Sequence, residues 1–106
     1  METQIEEIRG ALSQAAECLA GEGYSVETKL TKYERGGDLV IGVWLIATLS
    51  SHKSFPSAEM ASKMAEALEV LSEHDFVVRQ AQLSFRKSLL PNIYIYATKK
   101  VVEDEV

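Results

Sequence analysis

Leu39-Val40-Ile41-Gly42-Val43-Trp44-Leu45-Ile46-Ala47-Thr48-Leu49 is the stretch on which the fold turns. It is rich in β-branched residues, and it is about half the length of the roughly 20 apolar residues that a membrane helix needs. Side chains of a strand alternate between two faces. Leu39, Ile41, Val43, Leu45 and Ala47 therefore share one face, and Val40, Trp44 and Ile46 share the other. A strand that is apolar on both faces belongs in the middle of a sheet.

The flanking sequence supplies its neighbours. Upstream, Arg35-Gly36-Gly37-Asp38 holds paired glycines, which tolerate the positive φ of a tight hairpin. Before that turn, Tyr24 to Tyr33 alternates like a strand with one polar face. Ile5, Ile8, Leu12, Ala15, Ala16 and Leu19 recur at spacings of three and four, which predicts a helix over 3–20. Thr3 and Glu6 form a candidate capping box, and Gly21 and Gly23 supply the stop.

Downstream, a loop over 50–56 leads into a second helix over 57–73, with Met60, Met64, Leu68 and Leu71 on its apolar side. A strand follows over 76–86. Its apolar positions change parity near Arg79, which predicts a bulge. A turn over 88–92 contains Pro91, and the last strand, over 93–101, carries Ile93-Tyr94-Ile95-Tyr96-Ala97-Thr98. The acidic tail over 103–106 is expected to fray.

The order αββαββ predicts one α+β domain over residues 1–106, a two-layer sandwich with two helices on one face of a four-stranded sheet. Placing the apolar strand centrally gives the strand order first, second, fourth, third, a permuted ferredoxin-like arrangement. The chain also reads as one αββ unit written twice, over 1–53 and 54–106, either by duplication or because two helix-hairpin units share a periodicity by accident. A shift of 52 residues aligns Ala15 with Ala67, Leu19 with Leu71, Ile41 with Ile93, and Trp44 with Tyr96 without a gap.

If Ile93 and Ile95 face the helices, Tyr94 and Tyr96 do not, and Trp44, Val40 and Ile46 join them on the side away from the helices. Two helices cannot cover both faces of the sheet. Trp44, Tyr94, Tyr96, Val40 and Ile46 are the candidate interface residues, because a contiguous apolar patch rich in Trp and Tyr marks a contact surface; the alternative is that the acidic tail or the long loops cover them within the monomer.

Composition narrows the function. Net charge is −5 over 106 residues, against a nonspecific polyanion binder. The charge is segregated. Residues 1–22 and 54–75 carry ten acids and two bases, whereas 23–53 and 76–100 carry three acids and nine bases. Such a split suits protein assembly, since an acidic helical side can meet a basic hairpin of another copy. It also gives single-stranded nucleic acid some claim on the sheet, where aromatics of central strands can stack bases. The glycine-aromatic signature of RNA-recognition domains is missing.

Cys18, the one cysteine, permits no internal disulfide and no multi-cysteine metal site, and it reads as a small buried hydrophobe. His52 and His74 flank the second helix, on the order of 25–30 Å apart, too far to share a metal or a proton. No catalytic constellation is assignable, so neither enzyme chemistry nor a cofactor nor a metal is expected. The N-terminus Met1-Glu2-Thr3-Gln4 is polar and unlike a signal peptide, which points to the cytoplasm or to a particle assembled there.

In segment order, residues 39–101 resemble small bacteriophage tail-terminator and tail-completion proteins. The resemblance lies in the hydrophobic strand Val40-Ile41-Gly42-Val43-Trp44-Leu45-Ile46, the helix from Ser57 to Ser72, and a final hairpin ending in Ile93-Tyr94-Ile95-Tyr96. Members of that family often have additional strands and longer loops between the first helix and the hydrophobic strand. The resemblance implies a ring-forming structural protein of a virion, without catalytic residues, whose partners are proteins, in a homo-oligomer or a larger assembly. Three functional readings follow: an assembly protein, a small regulatory or inhibitory protein that binds another macromolecule, and a single-strand nucleic-acid binder on the open sheet.

Overall fold

The computed structural model describes residues 2–50, 57–84 and 90–101. Helix α1 spans Glu2–Leu19, strands β1 and β2 span Tyr24–Arg35 and Asp38–Leu49, helix α2 spans Ser57–Glu73, and strands β3 and β4 span Val77–Ser84 and Asn92–Val101. The sheet is antiparallel throughout, in the order β1-β2-β4-β3. This is the expected two-layer α+β sandwich. The strand order reads the same outward from the β2–β4 seam, and the seam pairs Trp44 with Tyr96. The two aromatics that the 52-residue shift aligns are thus direct cross-strand partners.

Local chemistry explains the elements. Gly36 and Gly37 both have positive φ, 59° and 86°, as a two-residue hairpin turn of the right twist requires. They close β1 against β2 with Arg35 opposite Asp38 and Tyr24 opposite Leu49. Helix α2 ends in a Schellman cap. The Phe76 N–H donates to the Leu71 carbonyl at 3.0 Å and the Asp75 N–H to the Ser72 carbonyl at 3.1 Å, while Asp75 takes the left-handed conformation at φ 64°. Phe76 and Leu71 are both buried, which supplies the apolar contact that accompanies this cap.

The core lies between the layers. Ile8, Leu12, Ala15 and Leu19 of α1 and Met60, Ala67 and Leu71 of α2 close on Ile41, Val43, Leu45, Ile93 and Ile95. At roughly 25 cal/mol per Å² of apolar surface, each large side chain buried here is worth about 2 kcal/mol. The strand faces therefore have the predicted parity, with the isoleucines of β4 turned towards the helices.

Several details differ from the sequence reading. Helix α1 begins at Glu2, which puts Thr3 inside the first turn and not at the N-cap. Strand β1 extends to Arg35, because the turn needs only two residues. Strand β3 begins at Val77; Phe76 belongs to the helix cap and is buried there. The expected bulge is present between Val78 and Gln80. Cys18 is half-buried and packs against the rim of the core, not within it. His52, most of the loop over 50–56, and the tail over 103–106 lie outside the described residues.

Candidate interaction face

Directly opposed residues of an antiparallel pair point to the same side of the sheet. The face away from the helices can therefore be read row by row from the register. Lys29 stands beside Trp44, Trp44 beside Tyr96, and Tyr96 beside Gln80. One row along, Glu27 stands beside Ile46, Ile46 beside Tyr94, and Tyr94 beside Gln82. In the other direction Tyr33 stands beside Val40, and Val40 beside Lys100. The five predicted interface residues thus share one surface on the two central strands. No described helix or strand packs over it.

The aromatic trio is half-buried rather than fully exposed: Trp44 and Tyr96 cover each other, and Tyr94 stands between Ile46 and Gln82. The Trp44 and Tyr96 rings stack with centroids 4.4 Å apart and planes inclined by 24°. A pair of this kind contributes about 1 kcal/mol beyond its buried area. The Lys29 ammonium lies 5.6 Å from the centre of the Trp44 ring, within cation–π range.

Gly42 makes room for the stack. A Cβ at this position would come within 3.3 Å of both the Trp44 and the Tyr96 rings and 3.4 Å of the Thr31 hydroxyl. The rings lean into the space that glycine leaves open, which is a recognised use of glycine within a strand.

Tyr33 was not among the residues singled out by sequence, yet it belongs to this cluster. Hydrogen bonding to Tyr33 holds the Tyr96 phenol above its ordinary 10.0, with burial adding to the effect and Arg79 opposing it. The signal was available. A two-residue turn at Gly36-Gly37 places Tyr33 opposite Val40 and hence on the same face.

Cations frame the aromatic strip. At the hairpin end, a depression of about 330 Å³ is lined by Arg35, Asp38, Val40, Val77, Arg79, Thr98 and Lys100. Arg79 Nε donates to Thr98 Oγ1 at 3.0 Å, and that contact leaves Thr98 only 4% exposed. Lys100 pairs with Asp38 at 3.1 Å, with both side chains about half in solvent. A pair this exposed contributes at most about 1 kcal/mol. At the other end a second depression, of about 350 Å³, involves Glu27, Lys29, Trp44 and Ile46. Neither is a closed pocket; both are hollows beside the aromatic strip.

The residues considered for chemistry lie elsewhere. His74 follows α2, and its carbonyl accepts a hydrogen bond from Lys99 Nζ at 2.7 Å. Burial pushes the Cys18 thiol above its ordinary 9.0, and the carboxylates of Glu66, Glu17 and Glu69 push in the same direction, so the reactive thiolate is disfavoured. No helix among the described residues is long and apolar enough to cross a membrane. Comparison of the chain with protein-family models, with curated proteins and with solved structures returns no match.

Proposed function

We propose that this chain is a non-enzymatic assembly protein that acts through protein–protein contacts on the open face of its sheet, as a subunit that binds further copies of itself. A ring in a virion tail, assembled in the cytoplasm, is the kind of structure such a subunit would serve. The observation that carries this reading is the pre-ordered surface of Trp44, Tyr94 and Tyr96 with Val40 and Ile46. The stacked Trp44 and Tyr96 rings lose little side-chain entropy on docking, and Trp and Tyr are the residues that dominate contact surfaces.

The sheet edges are poorer candidates. Edge strand β1 alternates Glu27, Lys29, Lys32 and Glu34 along its length, and edge strand β3 is bulged beside Arg79. Charges and bulges are the devices that discourage edge-to-edge pairing. The face is left as the surface suited to association.

Sedimentation equilibrium is the test. The wild-type chain should associate with rising concentration, and Trp44→Ala should weaken that association by at least about tenfold while leaving the fold intact. A wild-type chain that remains a monomer at the highest concentration reached would remove this reading.

One observation favours a second reading. Lys29, Arg35, Arg79 and Lys100 flank aromatics on central strands, which is the composition of a base-stacking surface. Titration with a single-stranded oligonucleotide, followed by Trp44 quenching at moderate salt, separates the two. Saturable quenching without self-association would favour nucleic acid.

A further inference from the structure

We propose that the occupant of the open sheet face is the outer side of helix α2 of a second copy. The proposal rests on the assembly reading and specifies which surfaces meet. Three observations carry it.

The first is charge. The two helices hold eight acids and two bases, and the four strands hold three acids and six bases. Lys29, Arg35, Arg79 and Lys100 stand on the open face against Glu27 and Asp38. Two open faces brought together would oppose like charges, which costs affinity, whereas a helical layer laid on an open face opposes unlike ones.

The second is the outer side of α2. Helical spacing groups Ala58, Ala61 and Ala65 with Glu66, Glu69 and Glu73, all of them exposed and turned away from buried Met60, Ala67 and Leu71. Small side chains let a helix approach a flat aromatic surface closely. The glutamates beside them are positioned to reach cations around that surface.

The third is where the cations lie. They border the aromatic strip near Trp44 and at the hairpin end, so a helix of about 25 Å laid across the strip can keep its rings under alanine and its charges paired. None of the α2 glutamates is in an ion pair among the described residues, where the one ion pair is Lys100 with Asp38.

The two meeting surfaces lie on opposite sides of the sandwich. A contact between them is heterologous, so it propagates head to tail and closes into a ring or continues as a filament; a twofold dimer through the open face is excluded.

Charge exchange tests this. One variant carries Glu66→Lys, Glu69→Lys and Glu73→Lys; the other carries Lys29→Glu and Arg35→Glu. All five positions are exposed, and circular dichroism checks that each variant folds. By sedimentation equilibrium, each variant alone should associate at least about tenfold more weakly than wild type, and an equimolar mixture should recover most of the loss. Variants that associate as wild type, a mixture that stays dissociated, or a wild type that stops at a twofold dimer would each overturn the proposal while leaving self-assembly standing. A wild type that never associates would remove both.

Discussion

Tyr96 concentrates the physics of the open face in one residue. It stacks on Trp44, leans over Gly42 and has the Tyr33 phenol close enough to shift its titration. Its phenol titrates above 10.0 because the partnered, partly buried neutral form is favoured. A raised folded value means that the associated stability is fully present below the unfolded value and is lost as pH rises through the folded one. Tyr33→Phe removes the first cause, so ultraviolet absorbance of the phenolate should show Tyr96 titrating closer to 10.0 in that variant. At the start of β1, the Tyr24 hydroxyl is buried without a hydrogen-bond partner among the described residues. An unmet buried hydroxyl costs stability, so Tyr24→Phe should stabilise the chain by about 1 kcal/mol in urea denaturation. The tyrosines of β4 were legible from alternation alone, since their parity follows from Ile93 and Ile95. Gly42 was not. The space it leaves matters only once both rings lean over it, and ring orientation depends on packing between strands.

Elements that local chemistry specifies strongly were the readable ones. Both helices, the Gly36-Gly37 turn and the bulge beside Arg79 follow from spacing and residue type. The cap of α2 was less accessible. Asp75 occupies the left-handed position that glycine usually fills, so nothing at that residue announced a Schellman motif, and Phe76 was read into the strand. The substitutions that follow have opposite signs. Asp75→Gly should stabilise the chain by about 1 kcal/mol, because it removes the Cβ penalty of the left-handed conformation. Gly37→Ala should destabilise it by about 1 kcal/mol, because it introduces the same penalty at φ 86°. Chemical denaturation with unchanged slope distinguishes both from changes in the unfolded state.

At the scale of the molecule, one sandwich presents two unlike surfaces, an acidic helical layer and an aromatic sheet bordered by cations. The segregation of charge was visible in the sequence, but its direction was not, because assigning Arg79 and Lys100 to the open face requires the bulge and the β2–β4 register. Trp44 lies at the seam between the two halves and is the only tryptophan in the chain, so its emission reports on the open face alone. The most direct measurement is therefore the Trp44 emission maximum across a dilution series, taken beside the mass from sedimentation. Association through the open face predicts a blue shift that grows with concentration in step with the mass, as Trp44 leaves water. A mass that rises while the emission stays constant would contradict it.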